Sequence, residues 1–335
     1  MTVTLDNPVT EVNLDTPTPP ASPATKSFTD RQAPWMKLGK QIDGKVNAAE
    51  AAKLGGLDFE VELRPAVRPQ RRSDGKGWNY VQVPSRRTLV RVDTDEFFDY
   101  VSADYKVMQY GEAFDFMDQI NPLYTAAGIM SHGKQGFIVA QLPDYASLNV
   151  EINGEVDPHE LYVIIRTSHD RSKAIEISVM PLRGRCMNQL ALQSMTTGAP
   201  QRWSIKHIGN VQDKLAEAQK VLTVLPKYAE IYAAKARQLG SITVTDEDSR
   251  SILKRVLPAR AKRDETVDAI MSGLHSSPAV GFVGTGWGLA NAVSEYFDWG
   301  RNTGTRTAQS QFTSGLTGDT SKFFNRTAQL LLNRA

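Results

Sequence analysis

The sequence predicts an α+β protein: an antiparallel β-rich core with a basic hairpin and flanking helices, followed by a helical C-terminal region. Two patterns carry this expectation. Between residues 59 and 208, apolar residues recur at every second position in short runs, the period of strands. From Gln212 onward they recur at spacings of three and four, the period of helices. Strands come first and helices after, which argues against a doubly wound parallel sheet.

The elements follow in order. Residues 1–33 hold Pro17, Pro19, Pro20 and Pro23, and residues 1–30 hold four acids (Asp6, Glu11, Asp15, Asp30) against Lys26. Such a stretch buries too little apolar surface to offset its ordering entropy, so a disordered acidic tail is expected, with order beginning near Trp35. Asn47 is a candidate N-cap for a short helix over 48–54, stopped at Gly55 and Gly56. Phe59, Val61 and Leu63 alternate with acids and read as a strand. A long exposed hairpin connection follows, punctuated by Pro65, Pro69, Gly75, Gly77 and Pro84. Strands are expected at 88–92 and 98–105, then a helix at 112–120. Four further strands are expected at 128–132, 135–141, 161–168 and 173–180, the last two joined by a turn over 169–172. A helix at 186–195 and a short strand at 202–208 complete the core, 34–210.

The helical region, 211–301, opens with Leu222, Leu225, Ala229, Tyr232, Ala236 and Leu239, a heptad-like seam. Pro226 inside it implies a kink or two helices. Further helices are expected at 246–257, 264–274 and 288–301. Residues 302–320 are rich in Thr, Gly, Ser and Gln and read as a linker. Residues 321–335 form an amphipathic helix through Phe323, Phe324, Leu330 and Leu331.

The composition is that of an ordinary globular protein, 41% hydrophobic and 23% charged over 335 residues. No apolar run approaches the roughly 20 residues of a membrane helix, and no leader is expected. The single cysteine, Cys186, excludes an internal disulfide and a multi-cysteine zinc site, and suits a reducing cytoplasm.

Net charge is only +2, but it is unevenly spread. Residues 64–91 hold Arg64, Arg68, Arg71, Arg72, Lys76, Arg86, Arg87 and Arg91 against the single acid Asp74. Trp78 and Tyr80 lie between the two basic groups. Arginines neutralise phosphates and exposed rings stack on unpaired bases, so this segment is a candidate single-strand binding surface. On a solvated loop the same charges would confer only solubility. A second basic group (Arg166, Arg171, Lys173, Arg183, Arg185, Arg202, Lys206) falls in the β-rich region; Arg166, Lys173, Arg183 and Arg185 are taken from it as further nucleic-acid contacts.

Other motifs read as structural. Gly284, Gly286 and Gly288 resemble a dinucleotide-binding turn, but the further strand and acid that such a unit needs do not follow. Asp93, Asp95, Glu96, Asp99 and Asp104 are dense, yet have no calcium-loop spacing. The five histidines show no paired ligand spacing. Adjacent His169 and Asp170 generally point apart on a turn. Cys186 is more often a packing residue than a nucleophile in such a setting. No phosphate-binding Gly-Lys-Ser/Thr loop is present. The expectation is a protein that is not an enzyme, with no catalytic residue, no metal and no cofactor.

Several stretches together carry a family resemblance. They are Trp35-Met-Lys-Leu-Gly39, the Glu50 to Glu62 helix-to-strand passage, Leu89-Val-Arg-Val-Asp-Thr94, Val101 to Gln109, Pro181 to Asn188 and Thr285 to Tyr296. In this order, over about residues 35–301, the chain resembles a phage/plasmid-like protein family of unknown function, of the domain-of-unknown-function 932 type. That resemblance implies a mobile element in a bacterial host cytoplasm, and it assigns no catalytic residue. The strand, basic loop, strand, strand, helix order is also similar in topology to single-strand annealing recombinases of the Red-beta and RecT kind. This implies ATP-independent binding and annealing of single-stranded DNA in recombination or replication. It also implies a homo-oligomer with phage or host replication proteins as partners. The alternative is a non-catalytic protein-binding or host-takeover factor, its basic loop meeting an acidic partner.

Overall fold

The structure is a computed structural model that describes residues 33–142, 148–183, 202–205, 225–276, 280–301 and 307–334, with isolated positions 216 and 223. The expected tail, the helix at 186–195 and the first part of the helical seam lie outside the described residues.

Two antiparallel sheets form the α+β core. The larger takes its strands from β1 (Lys40–Gln41), β5 (Leu123–Met130), β6 (Gln135–Gln141), β7 (Leu148–Ile152), β8 (Glu155–Ser168), β9 (Ile175–Arg183) and β10 (Arg202–Ile205). Its order is β1-β5-β6-β8-β9-β10, and β7 pairs with the first half of β8. The smaller sheet has the order β2 (Val61–Arg71), β3 (Trp78–Arg91) and β4 (Phe97–Ser102).

Alternation along the large sheet sends side chains to two covered faces. Ile138, Ala140, Val163, Ile165, Ile177 and Val179 face one core, shared with α1 (Ala48–Leu54), α2 (Tyr110–Phe114) and the C-terminal helices. Phe137, Val139, Tyr162, Ile164 and Met180 face a second, smaller core. Burial on both sides explains why β8 and β9 read as near-continuous apolar runs. Helix α1 begins as its sequence suggests: the Asn47 side chain accepts from Glu50 N at 2.8 Å, and Glu50 Oε2 accepts from Asn47 N. Helix α2 ends sooner than expected, and Asp115–Ile120 continues it as a 3₁₀ turn.

The C-terminal helices are α3 (Leu225–Gly240), α4 (Asp246–Val256), α5 (Arg263–Ser276), α6 (Gly286–Glu295), α7 (Ala308–Thr317) and α8 (Asp319–Leu332). Pro226 is the second described residue of α3, so the helix after it runs unbroken to Gly240, and the chain before Leu225 that would show a kink or a second helix lies, apart from isolated positions, outside the described residues. Two expectations are corrected here. Residues 302–320 are not a linker throughout, because 308–317 form α7. Phe312 is fully buried there, 5.2 Å from the Phe137 ring and 6.4 Å from that of Trp35. One apolar residue per turn among Thr, Ser and Gly suffices when it plugs an aromatic pocket. The last helix begins at Asp319 and packs directly after α7.

The seam of α3 faces inward, with Ala229, Tyr232, Ala236 and Leu239 buried in the main core. A polar knot sits beside it. Asp157 accepts from Arg183 Nε at 2.6 and 2.7 Å and from Trp287 Nε1 at 2.7 Å, tying β8, β9 and α6 together. The glycines at the entry to and in the first turn of α6 are structural. Gly284 has φ +83°, and a Cβ on Gly288 would stand 2.1 Å from the Phe282 carbonyl oxygen. Thr285 caps α6, its Oγ1 accepting from Gly288 N.

Candidate nucleic-acid interface

The basic segment is itself strand. Instead of a loop between short strands, β2 and β3 run as one long antiparallel hairpin from Val61↔Arg91 to Arg71↔Trp78. The turn over 72–77 is closed by Arg72 N donating to Gly77 O, with Gly75 and Gly77 at positive φ. The strand β4 pairs with β3 only as far as Arg86↔Ser102. Beyond that point, from Val67↔Gln82 outward, the hairpin is a two-stranded arm with no third strand, set off by an irregularity after Pro65. At about 3.3 Å per residue, its paired part from Val67 to Arg71 reaches about 13 Å before the turn.

Register decides which side chains share a face. Arg71 pairs with Trp78, Pro69 with Tyr80 and Val67 with Gln82, so period two places these six on one side. Arg68, Val81, Gln70 and Asn79 take the other. Trp78 is 61% exposed and Tyr80 74%. A core aromatic would bury nearly all of its ring, so two such rings on one arm face are unspent contact surface. They stand two residues apart, about 6.6 Å along the strand, close to twice the ~3.4 Å rise per nucleotide of a stacked strand.

The eight cations divide into two sets. At the root, Arg64 pairs with Glu62 at 2.6 Å and with Asp95. Glu62 first, then Asp95, hold its guanidinium above its ordinary range. Arg91 pairs with Asp93 at 2.6 Å and lies 3.9 Å over the Phe59 ring; its own pKa is raised and that of Asp93 lowered by this bond. These two pairs lie within the small sheet, tying β2 and β3 to the β3–β4 turn. On the arm, Arg68, Arg71 and Lys76 have no carboxylate partner among the described residues, and Arg72 has only Asp74 at 3.7 Å; at its three-stranded base, beside β4, Arg86 and Arg87 likewise have none. Arg87 donates instead to the backbone oxygens of Pro84 and Arg86.

Of the second basic group, the described Arg166 and Arg183 do not join this surface. Arg166 is 1% exposed and donates to Glu176 at 2.7 Å. Arg183 is buried against Asp157. Both are therefore removed as nucleic-acid contacts: a buried guanidinium committed to a carboxylate cannot reach a phosphate. The sheet register sets Arg166 directly opposite Glu176, one residue away from the Arg166–Ile175 pairing that a turn at 169–172 would give, so only the structure shows this pair. Arg171 is paired with Asp99 at 2.6 Å, and Lys173 is half-buried at the same turn. Arg185 and Lys206, and the side chain of Arg202, lie outside the described residues.

Three of the five acids at 93–104 are accounted for by these pairs, since Asp93, Asp95 and Asp99 each hold an arginine. No grouping of His, Cys, Asp and Glu that could hold a metal occurs among the described residues. His169 is packed among the Tyr110, Phe98 and Phe59 rings, while Asp170 accepts from Ser172 N, so the two do not act as a pair. Cys186 lies outside the described residues. No described helix is long and apolar enough to cross a membrane.

Comparison with known proteins adds a family and no activity. No curated protein and no solved structure matches the chain. A family described as "Domain of unknown function (DUF932)" matches residues 98–317, well over half of the chain. The match takes in the large sheet except β1, and the helices from α2 to α7, and the arm precedes it. The chain is a member of the DUF932 family.

Proposed function

We propose that this protein binds single-stranded DNA through the β2–β3 arm and anneals complementary strands without nucleotide hydrolysis. The observation that carries the reading is the pairing of exposed Trp78 and Tyr80 with carboxylate-free arginines on one protruding ribbon. Rings stack on bases regardless of sequence and leave the pairing edges open. Arginines hold the phosphates, and no bond is made or broken. A complementary strand then pairs with bases displayed in order. Because one arm spans only a few nucleotides, the proposal includes a homo-oligomer that lines several arms along a strand. Its setting is phage or plasmid recombination and replication in a bacterial cytoplasm, alongside phage or host replication proteins.

The test is equilibrium binding of the full chain to labelled single-stranded DNA across a salt series. Replacing Arg71, Arg72, Arg86 and Arg87 with Gln should weaken binding and reduce the log–log salt slope by about 3, at about 0.7 per lost phosphate contact. An ATP-free strand-annealing assay reads the second half of the proposal. No affinity for DNA at low salt would end it. Nuclease-resistant capture of a protein through an intact arm, with no DNA recovered, would move the reading to a protein-binding factor.

A further inference from the structure

A cleft of about 800 Å³ opens in the helical region, between the start of α5, the π-helical turn Tyr296–Gly300 and the first turns of α8. That volume suits a small ligand. Six cations line it: Arg260, Lys262, Arg263, Arg301, Lys322 and Arg326. Only two acids do, Glu265 and Asp319, and Asp319 is already paired with Arg301 at 2.9 Å. The other five cations have no ion pair among the described residues. Three of them, Arg260, Lys262 and Arg263, gather at the positive end of the α5 dipole, where added positive charge is unfavourable unless an anion sits beside it. The nearby Asp264 does not line the cleft and pairs with Lys254 at 3.5 Å. The wall opposite includes the partly exposed ring of Tyr296 and the Phe297–Phe323 stack, whose centroids are 4.7 Å apart.

Unpaired cations around a concave site call for a multiply charged anion, and a ring at its wall calls for a flat group attached to it. We infer that this cleft binds a phosphate-bearing nucleotide, free or at the end of a nucleic-acid strand. Phosphates lie against Arg260, Lys262 and Arg326, and the base lies against Tyr296. The site is remote in sequence from the arm and does not depend on it, and no chemistry on the ligand is involved.

The test is equilibrium binding to the full chain of inorganic pyrophosphate, ADP and a short 5′-phosphorylated oligonucleotide. Four proteins are compared: wild type, the Arg71/Arg72/Arg86/Arg87 arm variant, Arg260→Gln with Lys262→Gln and Arg326→Gln, and the single exposed-site variant Lys262→Glu. Pyrophosphate and ADP should bind wild type and arm variant equally. They should bind the triple cleft variant about tenfold or more weakly, since charge-assisted contacts are lost, and Lys262→Glu should weaken them in the same direction. ADP should bind more tightly than pyrophosphate, and Tyr296→Ala should erase that advantage. Competition between oligonucleotide and ADP on the arm variant assigns the site to strand ends; its absence assigns it to free nucleotides. If neither pyrophosphate nor ADP binds wild type at low salt, the inference is wrong. It is equally wrong if folded Lys262→Glu protein binds both as wild type does. Failure of the arm proposal leaves these outcomes unchanged.

Discussion

The polar knot at Asp157 offers the sharpest test of how the sheet and the helical region hold together. Asp157→Asn keeps the shape and removes the charge. Arg183, only 6% exposed at its side chain, is then left without its buried counter-charge, and the Trp287 indole loses an ionised acceptor. Breaking a buried ion pair from one side costs about 3–5 kcal/mol, because the surviving charge stays desolvated. Against a total stability of about 5–15 kcal/mol, that is a large fraction. Replacing both members, Asp157→Asn with Arg183→Met, removes the stranded charge and should recover part of the loss. Urea unfolding followed by circular dichroism reads four proteins: wild type, Asp157→Asn, Arg183→Met and the double variant. The double-mutant cycle isolates the coupling, with the far-ultraviolet spectrum checking that each remains folded. A cost below about 1 kcal/mol for Asp157→Asn, or strictly additive single losses, would refute the idea that this pair ties β8 and β9 to α6.

Other outcomes follow from the same structure. Phe312→Ala should cost about 3–5 kcal/mol by urea unfolding, since the ring is fully buried between Trp35 and Phe137; a linker residue would cost almost nothing. Trp78→Ala and Tyr80→Ala should each leave stability within about 0.5 kcal/mol while weakening single-strand binding by about 1–3 kcal/mol, read by thermal melting and fluorescence anisotropy on the same samples. Asp248 is held below the ordinary carboxylate range, chiefly by the Thr245 side chain at the start of α4. A depressed folded-state pKa contributes stability above the unfolded value of about 3.9 that is lost as pH falls through the folded one. Asp248→Asn should therefore flatten the acid limb of the stability–pH curve, lowering the urea midpoint at neutral pH while leaving that at pH below the folded-state pKa nearly unaltered, as measured by urea midpoints across pH.

Much of the fold was legible residue by residue. The capping box at Asn47 and Glu50, the β6 strand from Gln135 to Gln141 and the helix from Asp246 all rest on local signals, and the structure has them where those signals lie. The missed elements lacked such a signal. Helix α7 has few apolar residues and depends on Trp35, far away in the chain. The strand β7 was missed beside the long β8, whose Pro158 and alternating charges disguise its first half. The arm was read as a loop because Pro65, Pro69 and Pro84 are poor strand residues. An edge or two-stranded ribbon tolerates them, since an unpaired N–H there costs little.

Sequence alone determined the concentration of charge at 64–91, the two rings within it and the order of strands before helices, because composition and period are properties of neighbouring residues. Tertiary structure decided which cations remain available. Arg64 and Arg91 are bound to acids at the root of the arm, Arg166 and Arg183 are buried with theirs, and Arg68, Arg71, Arg86 and Arg87 stand free of carboxylates. An ion pair depends on register and burial between segments far apart in the chain, and a count of arginines contains neither.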